Sequence, residues 1–158
     1  MSGREHHYEV TVRWTGNTGK GTARYLEYGR DHDVTAPGKP AILGSADPAF
    51  LGRPDRWNPE DLLVASLAEC HMLTYLALCA RDRIVVTAYE DEATGTMTEE
   101  TGSSGRMTEV VLAPVVTITD PAKAERAAEL HHDANKACFI ANSVNFPVRH
   151  RPAIRIGE

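Results

Sequence analysis

Three cysteines, Cys70, Cys79 and Cys138, are the side chains here most suited to redox or nucleophilic chemistry. Cys70 and Cys79 both fall in the apolar run LLVASLAECHMLTYLALCA, which follows Asn58, Pro59, Glu60 and Asp61 and reads as one helix. Their nine-residue separation corresponds to roughly 13 Å along a helix, with the two side chains on opposite faces. A disulfide needs Cα atoms within about 7 Å, so these two cannot bridge while the helix stands. If Cys70 does redox chemistry, its partner is therefore Cys138, and the pattern is that of an attacking thiol and a resolving thiol.

A buried thiol needs help to ionise. The ordinary thiol pKa of about 8.5 leaves it mostly protonated at neutral pH, and burial opposes the thiolate further. A site this far inside a helix gains little from the macrodipole, whose influence fades after the first turn. A permanent cation is the remaining means, and arginine supplies one with a rigid donor fork. A carboxylate would orient that arginine, and Glu60 is the candidate by residue type. Continuous helix would hold Glu60 roughly 15 Å from Cys70. Either the helix kinks or starts late, or Glu60 and its arginine reach the thiol from a second subunit.

Other reactive residue types have simpler readings. Cys79 fits an inert buried thiol, and Glu60 also complements the positive end of a helix. His71 adjoins Cys70, but neighbouring helical side chains diverge by about 100°, which makes it a poor base for that thiol. His131 and His132 lack the i, i+4 spacing of a helical metal pair, so no metal site is expected. The glycines of GNTGKG, from Gly16 to Gly21, lack the full phosphate-loop spacing and no apolar parallel strand precedes them; a hairpin turn is the expectation.

The elements that must position these groups are legible from pattern. Tyr8–Trp14 alternates as a strand and is expected to turn back at Gly16–Gly21 into a second strand over Thr22–Tyr28. Residues 31–57 are rich in Gly, Pro and Asp and read as loop, with a short strand at 41–43. Asn58 is the expected helix N-cap, with Pro59 at the first helical position and two acids behind it. Ile84–Met97 and Arg106–Thr119 read as two long antiparallel strands joined by a turn at Thr101–Gly105. An amphipathic helix over Pro121–Lys136 follows, then Cys138, a short helical or turn segment over Phe139–Val144, and a last strand over Val148–Ile156. The expectation is one α+β domain over residues 1–158, a mainly antiparallel sheet packed with a long buried central helix. That helix is apolar almost all round, so one sheet can cover only part of it. A homodimer packing two copies is the simplest completion.

Composition narrows the function classes. With 17 basic and 22 acidic residues among 158, and the bases scattered, neither nucleic acid nor an anionic membrane is an expected partner. The polar start MSGREHHYEV does not resemble a secretion signal. The longest apolar run is broken by Ser66, Glu69, His71 and Thr74, as in a core helix. A cytoplasmic, reducing setting is expected, where a cysteine pair is more often catalytic or redox-sensing than structural.

The stretch NPEDLLVASLAEC, from Asn58 to Cys70, resembles the glutamate-and-cysteine helix of the osmotically inducible protein C and organic hydroperoxide resistance (OsmC/Ohr) family. The stretch HDANKACFIANSV, from His132 to Val144, is similar to that family's second-cysteine segment. The likeness extends through WTGNTGKGT, Tyr28–His32, Ser45–Phe50 and Asn145–Val148, in one order. The resemblance implies an intertwined homodimer whose long central helices are enclosed by sheets from both subunits. It also implies a thiol peroxidase acting on organic hydroperoxides without a cofactor. Cys70 would be oxidised to a sulfenic acid, Cys138 would resolve it to a disulfide, and an external dithiol, in related members a lipoyl-bearing protein, would restore both.

Arg30, within YGRDH, is the first choice for the activating arginine, with Arg53 and Arg56 as alternatives. Two departures point to an OsmC-like subgroup with its own substrate preference. His71 follows Cys70 where main-line members usually carry a small or aromatic residue, with the charged Glu69 on the other side of the thiol, and Asn135 stands where His is common in similar sequences. Two rivals remain on the residues alone: a dimeric redox sensor or binding protein using the same cysteine pair, and a Cys–His hydrolase or transferase.

Overall fold

In the computed structural model, which describes residues 3–102 and 104–158, the chain forms two compact units, Met1–Leu62 and Leu63–Glu158. Among the described residues it is an α+β fold of three three-stranded sheets and two α-helices.

The first unit is built on an antiparallel sheet in the order β1 (Thr11–Trp14), β2 (His32–Thr35), β3 (Ile42–Gly44). The strand expected over Thr22–Tyr28 is not formed, and β1 pairs instead with His32–Thr35. The intervening segment is a closed loop. Gly29 N–H donates to Gly16 O at 2.8 Å, and Thr15 N–H to Asp31 O at 2.9 Å. A Cβ at Gly16 would sit 2.0 Å from Gly29 O, so only glycine fits this crossing. Within the loop Asn17 Oδ1 accepts from the Gly19 and Gly21 amides, both at positive φ. The carbonyls of Tyr25 and Tyr28 are taken by the Arg30 guanidinium. Acceptors spent this way are lost to a strand ladder.

The helix α1 (Pro59–Arg81) starts as its sequence dictates. Asn58 Oδ1 accepts from Asp61 N–H at 2.8 Å, Pro59 occupies the first turn, and Glu60 and Asp61 meet the positive end. It stops at Arg83, which takes φ 57° while Ile84 N–H reaches back to Cys79 O at 2.8 Å and Arg83 N–H to Ala80 O at 3.2 Å. That is the left-handed Schellman stop, here without glycine. The helix is continuous over its 23 residues, with no kink-forming residue inside it.

The second unit contains the remaining strands. The two long expected strands each break in two: β4 (Val86–Asp91) and β5 (Thr94–Glu100), then β6 (Ser104–Leu112) and β7 (Pro114–Ile118). Asp91 Oδ1 pins the break by accepting from Ala113 N–H at 2.7 Å. The expected antiparallel pairing holds, but the halves join different sheets, β4 with β7 and β5 with β6. Ser103, within the expected turn, lies outside the described residues.

A single turn of 3-10 helix precedes α2 (Ala124–Ala137). The final strand also divides, around Pro152, into β8 (Val148–His150) and β9 (Ala153–Ile156). These run parallel to β6 and β7, so both sheets of this unit are mixed. The helix between the strands supplies the crossover that parallel pairing requires.

The core of the second unit has two centres: Leu67, Val110 and Leu112, and a larger cluster of Tyr75, Cys79, Ile84, Val116, Ile118, Ala127, Leu130 and Ala134. On α1 the fully buried positions are Leu67, His71, Tyr75 and Cys79, an i, i+4 stripe on one face. Leu73, on another face, is 63% exposed. A helix that reads as apolar all round thus buries one stripe completely within the chain, while most of its other apolar side chains are half-buried.

Candidate active site

Cys70 lies on α1, half-buried, and its carbonyl accepts from Thr74 Oγ at 2.8 Å. Glu69 beside it is exposed, while His71 turns inward and is 1% exposed. Cys138 ends α2 as its C-cap, in extended backbone at φ −68° and ψ 115°. The helix ends there because the next residues turn into the 3-10 segment Ala141–Ser143. Cys138 is 1% exposed, and its sulfur accepts a weak hydrogen bond from Ala141 N–H at 3.4 Å.

The structure brings Cys138 to Cys70. Burial pushes the Cys138 thiol up to about 11, and the hydrogen bond it shares with Cys70 adds to that rise. Amide donors at Ala141 and Ile140 act in the opposite direction and are outweighed. Cys138 therefore keeps its proton at neutral pH, with Cys70 as its neighbour. The third thiol is elsewhere. Cys79 is buried beside Tyr75, and burial raises its pKa.

The candidate arginines divide sharply. Arg53 pairs with Asp55 at 2.5 Å and Asp31 at 3.4 Å, and Arg56 with Asp31 at 3.5 Å and Asp33 at 3.9 Å. Arg30 forms no ion pair among the described residues. Its guanidinium donates to the carbonyls of Tyr25, at 2.6 Å, and Tyr28. It lies over the rings of Tyr28 at 3.9 Å and Tyr25 at 4.7 Å. Two carbonyls and two ring faces fix the fork without neutralising it.

Glu60, half-buried in the first turn of α1, lines a pocket of about 200 Å³ together with Arg30, His32, Phe50 and Pro59. The structure thus places Arg30 and Glu60 on one pocket wall. The orienting contact expected from Glu60 to the arginine is not formed as an ion pair, because the carbonyls of Tyr25 and Tyr28 hold the guanidinium instead.

The second unit also holds a buried polar seam that leaves little mark in the sequence. His71 Nε2 and His131 Nδ1 share a hydrogen bond of 3.0 Å, with rings nearly coplanar at 7°. Tyr75 stacks on His131 at 3.8 Å and donates its hydroxyl to Ala127 O at 3.0 Å. Burial lowers His71 to about 4, with His150 adding to it. Burial also lowers His131, to about 3, assisted by His71 and His150. The only available signal was spacing, positions 71 and 75 on one helix and 127 and 131 on the other.

Two thiols in contact on a two-helix scaffold, joined to mixed sheets, define a class of small α+β thiol proteins. Residues 52–152 match the family described as OsmC-like protein, and the chain belongs to that family. An OsmC-like protein of unknown function from Vibrio cholerae is 30% identical, with a TM-score of 0.83 over 94% of this chain and 99% of that one. An organic hydroperoxide resistance protein from Bacillus subtilis is 21% identical, with a TM-score of 0.61 over 95% and 98% of the two chains. Another from Elizabethkingia anophelis is 15% identical, with a TM-score of 0.66 over 98% and 100%. The last two share the fold. No curated protein sequence matches the chain.

Proposed function

We propose that this protein is a cysteine-based peroxidase that reduces organic hydroperoxides to alcohols. The observation that carries the reading is the contact of Cys70 with Cys138, whose thiol stays protonated. The Cys70 thiolate attacks one peroxide oxygen; the S–O bond forms as the O–O bond breaks, and the alkoxide leaves as the alcohol after taking a proton. Cys138 then attacks the sulfenic sulfur, its proton leaves with the hydroxyl group as water, and a disulfide results. An external dithiol, such as a lipoyl-bearing protein, restores both thiols by exchange and is itself oxidised to a disulfide.

Arg30 is the proposed activating cation and Glu60 its carboxylate neighbour in the pocket. An unbroken helix holds Glu60 roughly 15 Å from the Cys70 of its own chain. The proposed working form is therefore a homodimer in the cytoplasm, in which the Arg30–Glu60 pocket of one protomer serves Cys70 of its partner. The exposed flank of α1 around Leu73 supports such packing. The organic hydroperoxide resistance proteins that share the fold support the substrate class.

Steady-state assays with dithiothreitol test this reading against cumene hydroperoxide, a fatty-acid hydroperoxide and hydrogen peroxide. Many turnovers per chain with the organic peroxides, abolished by Cys70→Ser, are expected. Consumption of a single equivalent marks a redox sensor instead and overturns the proposal.

A further inference from the structure

Two buried polar bonds join the helices that carry the thiols, and at the exposed edge Arg126 of α2 also pairs with Asp82, just past α1, at 2.7 Å. His71 of α1 meets His131 of α2, and Tyr75 of α1 meets Ala127 of α2. Moving four residues forward on α1 moves four residues back on α2, so the helices run antiparallel and the bonds lie one turn apart. Beside them the two helices bury Cys79, Leu130 and Ala134 in one cluster, surfaces whose attraction is non-directional. Such surfaces tolerate sliding; a directional bond between buried polar groups does not, because a slip leaves them unpaired in a medium that cannot solvate them. Both histidines already have their second ring nitrogen buried without a partner, so each relies on the one bond it has.

We propose that the His71–His131 bond, with Tyr75–Ala127, is a register lock that sets the reach of Cys138 toward Cys70. It rests on the reading of these cysteines as a redox pair. His71 directly follows Cys70, and His131 lies seven residues before Cys138, so both thiols are rigidly tied to the lock. A slip of one turn displaces Cys138 by about 5.4 Å, enough to carry the Cα atoms out of the window a disulfide allows. The two histidines are thus positioning residues for the resolving step and take no part in peroxide attack.

The test is the effective concentration of the Cys70–Cys138 pair, measured in glutathione redox buffers by mass spectrometry in a Cys79→Ser background. His71→Phe and His131→Phe keep the ring and remove the nitrogens; the double variant leaves no imidazole nitrogen unpaired and should melt close to the parent. The expected result is a fall of roughly tenfold, or about 1.4 kcal/mol, in both singles and in the double. Tyr75→Phe should show a smaller fall in the same direction. A folded double variant, or a folded Tyr75→Phe, that keeps the parent's effective concentration overturns the lock. Because no peroxide enters this measurement, failure of the peroxidase reading and failure of the lock are told apart.

Discussion

Cys138 caps the end of α2 beside Cys70, and burial keeps its thiol protonated. The proposed mechanism gives the two thiols different tasks: the half-buried Cys70 meets the peroxide, and the buried Cys138 is held in reserve.

Cys138→Ser should therefore separate attack from resolution. The variant is expected to consume one equivalent of organic hydroperoxide and then stall with Cys70 as a sulfenic acid, which dimedone traps quantitatively. Mass spectrometry of the dimedone adduct checks this. Continued turnover at the parent's rate with dithiothreitol would mean that Cys138 is not the resolving thiol.

Arg30→Ala should cut the rate of Cys70 oxidation about tenfold or more, the scale of ~1.4 kcal/mol in a barrier. Arg30→Lys should recover little, since it keeps the charge and loses the fork. Arg53→Ala and Arg56→Ala should react near the parent's rate, because both arginines are already committed to Asp31, Asp33 and Asp55. Stopped-flow oxidation in a Cys79→Ser background compares them. If the site is shared between protomers, Arg30→Ala and Cys70→Ser chains refolded together should regain activity that neither has alone. No recovery in verified heterodimers would place the whole site within one chain.

Acid should destabilise the fold through its histidines. His71 and His131 are held at about 4 and about 3 in the folded chain, below the unfolded value near 6.5. The titratable groups facing them are Tyr75, His150 and, beyond it, His132. A depressed histidine pKa leaves the unfolded chain binding more protons, so stability is complete above about pH 6.5 and falls as pH drops toward the folded values. At about pH 5 the loss should be on the order of 2 kcal/mol per histidine. Urea melts across pH 7 to pH 4.5 measure it, and the His71→Phe/His131→Phe variant should flatten the profile. An equally steep profile in that variant would assign the acid sensitivity to other groups.

The start of α1 was fully legible, because Asn58, Pro59, Glu60 and Asp61 each carry a local physical reason to sit where they do. So was the place of Cys138 just after α2, and the exclusion of a Cys70–Cys79 bridge, which follows from helical rise alone. What stayed hidden depends on partners distant in sequence. Thr22–Tyr28 has strand-like residues, yet its carbonyls go to Arg30, and a backbone acceptor leaves no mark in the sequence. The break of each long strand near Asp91 and Ala113 rests on one side-chain-to-amide bond between residues 22 apart. The His71–His131 bond spans 60 residues, and nothing local announces it. Arg30 could be nominated from its motif, but the fact that Arg53 and Arg56 are neutralised by aspartates emerges only from the fold.

The central question is which sulfurs join when peroxide is reduced. Peptide mapping after one equivalent of cumene hydroperoxide, with the alcohol product quantified in the same sample, answers it most directly. The expected products are one equivalent of cumyl alcohol, one intrachain Cys70–Cys138 disulfide per chain, and Cys79 recovered as the free thiol. A dominant link to Cys79, a Cys70–Cys70 link between chains, or alcohol formed without loss of the Cys70 thiol would contradict the proposed mechanism.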